Sequence, residues 1–281
     1  MSKNEKKEKG PSKPPTKKQK IASLSSQTHS DPPPPPSSSS HVTNDLSTLG
    51  STSLQTKMRT KLLGARLRWI NERLYLTTGS EAASMMESEP GLFEEYHSSF
   101  SQQTESWPSS PVSVIAERIR REVKSTENKV IVDLGAGIAM LAKELGREGY
   151  KVLSFDLVAN EWVVKAQCTE KNGVPLPAEI VDVVVCCLSL MGTDWLGMIR
   201  EAKRISKDKA KLVIAEVASR MDEVDEFVKV VEEVGWKKTE MDTSNSHFGV
   251  FWFEKDGKKK EGKDLEERSR KALKPCLYKK R

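Results

Sequence analysis

The sequence predicts an α/β protein: a Rossmann-like domain whose mostly parallel sheet ends in a C-terminal antiparallel hairpin, preceded by a small helical subdomain. Three observations carry that reading. From Val130 onward, apolar β-branched runs alternate with helical stretches. The first run, Val130-Ile131-Val132-Asp133-Leu134, leads directly into Gly135-Ala136-Gly137. The last two runs are separated by a loop too short to hold a helix.

Each element follows from its pattern. Strand-like runs occupy residues 130–134, 151–157, 180–188 and 212–217, with helical stretches at 138–147, 194–205 and 221–234. Continuous apolar strands separated by helices imply a parallel sheet covered on both faces. Two further strands, 238–242 and 249–254, are joined by residues 243–248 alone, and a helix-free connection of that length fits an antiparallel pair. A parallel sheet closed by one such hairpin is the arrangement typical of class I methyltransferases. Upstream, from near Thr56, Leu63, Leu67, Ile70 and Leu74 recur at helical spacing and would share one face. Arg59, Arg66 and Arg73, seven apart, form a stripe beside it that could meet a phosphate backbone or simply edge an ordinary amphipathic helix. Residues 77–111 carry scattered aromatics (Phe93, Tyr96, Phe100, Trp107) and read as a short helix or two, then irregular chain. Residues 112–123 are again helical.

The division along the chain is therefore a basic, Pro/Ser-rich tail over 1–55, a helical subdomain over 56–125, and a cofactor-binding domain with a basic C-terminal tail over 126–281. The tail, with Pro32 to Pro36 followed by Ser37 to Ser40, cannot bury enough apolar surface to offset its ordering entropy and is expected to be disordered. The net charge of +6 is unevenly spread. Residues 1–20 hold eight lysines against two glutamates, a net +6, and residues 255–281 hold twelve Lys/Arg against five Asp/Glu, a net +7, which leaves 21–254 at −7. Positive arms around an acidic body suit a polyanion-binding protein, because affinity comes from releasing counterions from phosphates; a solubilising role for the tails is the plainer alternative. Lys17-Lys18-Gln19-Lys20 also resembles a nuclear import signal. No stretch approaches the ~20 apolar residues of a membrane span, the lysine-rich start is no secretory signal, and Cys168, Cys186, Cys187 and Cys276 show no zinc spacing, as in a reduced, intracellular protein.

The chemistry centres on the loop after the first strand. Glycines there let backbone approach a ligand, and the following helix offers free N–H groups. A nicotinamide enzyme would want Gly-x-Gly-x-x-Gly, but the sixth position is Met140. Asp133, two residues before the first glycine, could order the loop and meet the cationic part of a ligand. Asp156 closes the second strand, where a carboxylate can accept hydrogen bonds from both ribose hydroxyls. Together these predict S-adenosylmethionine as the cofactor. After the fourth strand, Cys186 and Cys187 lack the preceding proline of cytosine-carbon methyltransferases and read as buried cysteines, and the Asn/Asp-Pro-Pro-aromatic signature of amine methylation is absent. Spacing alone gives His97 and His247 no role. No residue is assigned as catalytic and no metal is expected.

Several longer motifs carry a resemblance. They are Arg68-Trp69-Ile70-Asn71-Glu72-Arg73-Leu74-Tyr75, Tyr96-His97 through Trp107-Pro108, Cys187-Leu188-Ser189-Leu190-Met191-Gly192-Thr193, Ala215-Glu216-Val217-Ala218-Ser219-Arg220, Asn245-Ser246-His247-Phe248, and Lys274-Pro275-Cys276-Leu277-Tyr278-Lys279-Lys280-Arg281. From about Leu62 to Arg281 the chain resembles the ribosomal RNA-processing protein 8 (nucleomethylin) family. That resemblance implies a nucleolar, nuclear enzyme, expected to act as a monomer, that makes 1-methyladenosine in large-subunit ribosomal RNA during rRNA processing. It places His97, Gly135, Asp156 and Cys187 at cofactor-contacting positions. RNA would be held by the basic tails and the Arg59/Arg66/Arg73 helix.

The chain also departs from the family pattern. Ile138 stands where an acidic residue usually follows the second glycine, and Cys168 is followed by Thr169 and Glu170 rather than by Asp and an apolar residue. That pair is implied to flank the cofactor's adenine, with Glu170 as a substitute. Ser206-Lys207-Asp208-Lys209-Ala210 replaces a Lys-Pro-Gly-Gly turn. Two readings stay open: an active RNA adenine methyltransferase, or a diverged nucleolar module that binds RNA or chromatin-silencing partners at ribosomal DNA.

Overall fold

A computed structural model describes residues 53–257 and 261–276, all within one compact unit. The basic run over 1–20, nearly all of the expected disordered tail, and the terminal residues 277–281 lie outside the described residues, as does the Arg59 side chain. Four helices come first: α1 (Ser53–Leu76), α2 (Gly79–Ser88), α3 (Leu92–Thr104) and α4 (Pro111–Glu122). Helix α1 starts three residues before the expected boundary. Of its predicted apolar face, Leu67, Ile70 and Leu74 are buried, but Leu63 is 46% exposed because the N-terminal half of the helix runs past the elements it packs on. Helix α2 is fixed by a capping box: the Glu81 N–H donates to the Thr78 hydroxyl, and the Thr78 N–H to the Glu81 carboxylate. Pro111 begins α4, with the Ser110 hydroxyl accepting from the Ser113 N–H. Leu67, Ile70, Leu74, Met85, Leu92, Phe93 and Tyr96 form the cap's own apolar cluster.

The sheet follows: β1 (Val130–Leu134), β2 (Lys151–Asp156), β3 (Val163–Lys165), β4 (Val181–Cys187), β5 (Ser206–Val217), β6 (Trp236–Asp242) and β7 (Phe248–Lys255), in the order β3-β2-β1-β4-β5-β7-β6. All pairs are parallel except β5 with β7 and β6 with β7, so the expected closing hairpin is present. Helices α5 (Met140–Gly146), α6 (Leu196–Ile205), α7 (Val224–Val234) and α8 (Leu265–Ala272) complete the domain. One sheet face packs on α6, α7 and α8 around Trp195, Phe227 and Phe251, and the other on α4 and α5 around Ile115, Ile119, Leu141 and Leu145.

Three local outcomes differ from the sequence pattern. Strand β3 escapes a reading of apolar runs because it is a three-residue edge strand with only Val163 buried. Residues 206–210, which replace the family's Lys-Pro-Gly-Gly turn, form a bulge inside β5: Ser206 pairs with Val181, Lys211 already pairs with Val183, and Lys209 takes a positive φ of 59° to absorb the excess. The basic C-terminal tail is, over residues 261–276, a docked element. Leu265, Ser269, Ala272 and Leu273 are buried, Arg268 bonds Glu226 and Glu233, and Lys271 and Lys274 pair with Glu267 and Asp222. Apolar residues at helical spacing seat it, and its cations are largely neutralised by neighbours.

Candidate cofactor and methyl-transfer site

Strands β1, β2 and β4 end side by side, and their C-terminal loops bound a cleft of about 1220 Å³, counting the space at its mouth. After β1 the chain turns back onto β2: the N–H groups of Gly135 and Ala136 both donate to the Phe155 carbonyl, at 2.8 and 3.1 Å. Gly135 and Gly137 hold φ of +72° and +56°. A Cβ at Gly135 would collide with Cβ of Ser189, and one at Gly137 would stand 2.5 Å from Cε1 of His97. Glycine is required here both by backbone conformation and by close approach.

Asp156 orders this loop. Its Oδ2 accepts from the Gly137 N–H at 2.7 Å and its Oδ1 from the Leu157 N–H at 2.6 Å. Burial raises its pKa, opposed by the neighbouring His97 and by those two N–H groups. Asp133 lies beneath, fully enclosed, with Oδ1 lacking a partner; burial and then the Asp156 charge push it up to about 7. His97 reaches the loop from α3, its ring 4.3 Å from that of Phe93. Burial lowers its pKa, while Asp156 and Glu94 work the other way.

The opposite wall is the helical cap, where Phe93, Tyr96, Phe100 and Thr104 line the cleft from α3, and Met86 from α2. The cap is pinned to the sheet loops. Both oxygens of Asp194 accept from the Gly79 N–H, at 2.9 and 3.1 Å, and Oδ2 also accepts from the Thr169 hydroxyl at 2.9 Å. The Thr193 N–H donates to the Thr77 carbonyl, and the Tyr96 hydroxyl to the Met191 sulfur.

The structure thus brings His97, Gly135, Gly137, Asp156, Thr169 and Cys187 to one cleft, with Asp133 under its floor rather than on its surface. Glu170 departs from the sequence reading: it is exposed and outside the cleft, because its N–H closes a turn onto the Gln167 carbonyl, and the lining there comes from Ala166, Gln167, Cys168 and Thr169. Ile138 does line the cleft. Spacing gave no access to Gln167, Ser189 or Asp194, whose roles arise only from tertiary contact. Burial drives the Cys168 thiol to about 12 and those of Cys186 and Cys187 well above the ordinary range, which disfavours the thiolate form. Among the described residues, no group of three or more His, Cys, Asp or Glu could hold a metal ion, and no helix is long and apolar enough to cross a membrane. The Arg59/Arg66/Arg73 stripe is only partly free, since Arg66 bonds Glu89 and Glu95 at 2.9 and 3.2 Å.

These residues suit S-adenosylmethionine. The two glycines form a cradle that a Cβ would fill, a buried carboxylate oxygen of Asp133 lacks a partner, and Asp156 ends β2 beside a largely apolar cleft. A family model described as a hypothetical methyltransferase matches residues 53–281. The 25S rRNA (adenine(645)-N(1))-methyltransferase of Schizosaccharomyces pombe is 39% identical over 242 residues, which cover 82% of this chain and 73% of that protein. The enzyme of the same name from Saccharomyces cerevisiae is 35% identical, covering 82% and 72%. Ribosomal RNA-processing protein 8 of Dictyostelium discoideum is 38% identical over 244 residues, which cover 83% of this chain and 61% of that protein. The glycine cradle, the paired aspartates and these similarities agree, and the chain belongs to the family of ribosomal RNA-processing protein 8 and the 25S rRNA adenine-N1 methyltransferases.

Proposed function

We propose that this chain methylates N1 of an adenine in large-subunit ribosomal RNA, with S-adenosylmethionine as the methyl donor, and that it works in the nucleolus. The observation that carries the reading is the likeness to the fission-yeast adenine-N1 methyltransferase along 73% of its length, joined to a cleft whose loops suit the cofactor. His97, Gly135, Gly137, Asp156, Thr169 and Cys187 are proposed to hold it, with Asp133 ordering the loop from below. Bound there, it supplies a sulfonium-activated methyl group.

The remaining demands fall on the chain's own residues. Adenine N1 keeps a free lone pair at neutral pH, so no side chain has to remove a proton, which accords with cysteines held as thiols. Orientation alone can contribute roughly 7–11 kcal/mol to such a reaction. The apolar side chains of α3 can exclude water and stack against a base, which must be unpaired or flipped out to expose its pairing edge. The methylated base is cationic, the positive charge passing to it from the sulfonium of the donor. RNA would be engaged by the lysine-rich residues 1–20 and by Arg59 and Arg73, and the docking of residues 261–276 commits Arg268, Lys271 and Lys274 of the C-terminal segment to carboxylates of the chain itself.

Methylation on the pairing edge blocks copying, so reverse-transcription stops on ribosomal RNA would be mapped in cells with and without the protein. One large-subunit stop should vanish on deletion and return with the wild-type gene. An unchanged stop pattern defeats the reading.

A further inference from the structure

One buried ion pair stands outside this machinery and yet reaches it. Glu216 at the end of β5 and Arg220 in the turn that follows are both 1% exposed, and Arg220 Nη1 lies 2.8 Å from Glu216 Oε2. Burying two charges costs several kcal/mol per ion unless every polar atom is well used. Arg220 is used on each side. Its Nη1 donates to the Leu190 carbonyl at 2.8 Å, its Nε donates to the Lys274 carbonyl at 2.7 Å, and its guanidinium lies 4.6 Å from the Tyr75 ring centre in α1. The Lys274 N–H returns a bond to the Arg220 carbonyl, and the buried Asn71 amide of α1 donates to the Cys276 carbonyl at 2.7 Å. Glu216 Oε1 accepts from the Val217 N–H at 2.7 Å.

This network joins three parts of the chain distant in sequence: α1, the C-terminal segment and the loop after β4. The third is the consequential one. Leu190 lies within residues 188–192, and Leu188, Ser189, Met191 and Gly192 all line the cleft. Ser189 is the residue against which Gly135 closes, and Met191 accepts from Tyr96. The Leu190 carbonyl is thus the point at which a rigid, deeply buried fork fixes the segment that faces both the glycine loop and the cap.

We propose that Arg220, oriented by Glu216 and closed over by residues 274–276, is a positioning residue for methyl transfer: it sets the loop after β4, and the C-terminal segment is a working part of the site. The inference rests on the methyltransferase reading above. A lysine cannot replace the fork, because one ammonium on a flexible stem does not reach the Leu190 and Lys274 carbonyls in the same fixed geometry.

The test compares wild type, Arg220→Lys and the double variant Glu216→Met/Arg220→Met in the full-length chain. The double variant removes both charges together, which leaves no unpaired ion and is often neutral for stability. S-adenosylhomocysteine binding is measured by calorimetry, kcat and KM with an unmodified ribosomal RNA fragment, and Tm by scanning calorimetry. Arg220→Lys should keep its Tm within a few degrees and its RNA KM within twofold, while kcat falls tenfold or more and the product analogue binds at least fivefold more weakly. The double variant should lose more kcat still. If either variant folds with wild-type kcat and wild-type affinity, the positioning role is wrong. If Arg220→Lys loses Tm and all parameters in proportion, Arg220 is a structural residue only and the proposal also fails. Wild-type protein that binds no S-adenosylhomocysteine would instead overturn the function on which the inference rests.

Discussion

On its sheet side the cleft is bounded by backbone: Gly135 and Gly137 press against Ser189 and His97 with no room for a Cβ, and the N–H groups of the loop are committed to Phe155 and Asp156. On its cap side it is bounded by side chains, with Phe93, Tyr96 and Phe100 projecting from α3, Tyr96 stacked on Phe100 and Phe93 against His97. The first wall takes its shape from torsion angles and a parallel-sheet edge, the second from apolar packing. A wall of backbone has almost no latitude, because its atoms cannot adopt other rotamers. A wall of side chains can be exchanged for others of similar volume at modest cost.

The largest expected effect follows directly. In Gly135→Ala the new methyl group needs a left-handed residue, which alone costs about 1–2 kcal/mol, and it also drives into Ser189. S-adenosylhomocysteine affinity by calorimetry should fall about a hundredfold or more by the usual relation of free energy to affinity. On the opposite wall, Phe100→Leu keeps an apolar lining and should change affinity by only a fewfold, on the order of 1 kcal/mol. Equal losses on the two sides would erase the distinction between them.

A second, smaller effect sharpens the comparison from beneath the sheet wall. Burial lifts Asp133 to about 7, against an ordinary 3.8. Between those values the folded protein holds a proton that the unfolded chain has released, so this group's favourable contribution is lost as pH rises from about 4 to about 7. His97, lowered by burial, has the opposite sign: its contribution is lost as pH falls below the ordinary 6.5. Asp133→Asn removes only the first term, so subtraction isolates it. Thermal melts should place the variant's Tm above wild type at pH 7.5 and bring the two together near pH 4, with a gap on the order of 5 °C at the upper end. A gap that stays constant across this range would mean that Asp133 does not titrate in the window.

The same contrast explains how much the sequence discloses. The sheet wall is legible because its signals are local: a β-branched run, Gly-x-Gly, then an aspartate at the end of the next run, each with one physical meaning. The hairpin is legible because residues 243–248 are too few for a helix. The cap wall is not legible in this way. Phe93, Tyr96 and Phe100 stand out only as scattered aromatics, and nothing in their spacing says that they face a cofactor loop some 40 residues on; His97 enters through resemblance alone. The exposure of Glu170 is not legible either, because only the turn that its N–H closes onto the Gln167 carbonyl takes it out of the cleft that Gln167, Cys168 and Thr169 line. Helix α8 is obscured by its lysines and arginines, since Glu226 and Glu233, the partners of Arg268, sit on another helix.

The smallest effect tests the outer face of the cap, where α1 carries the arginine stripe. Trp69 is 40% exposed, with the Arg66 guanidinium 4.7 Å and that of Arg73 5.7 Å from its ring centre. The two arginines are not equivalent. Arg66 is held by Glu89 and Glu95, so its charge is locally balanced and an approaching phosphate must compete with two carboxylates. Arg73 is exposed and forms no ion pair among the described residues, with the Trp69 ring beside it and Glu81 within electrostatic range. Each phosphate contact to a single strand adds about 0.7 to the slope of log affinity against log salt. Arg73→Gln should therefore flatten the slope for ribosomal RNA binding by about that amount, and Arg66→Gln by less than half as much. The reverse order would show that RNA displaces Glu89 and Glu95 from Arg66. In that event the cap would respond to its substrate through the same helix whose inner face, at Asn71 and Tyr75, closes over Arg220.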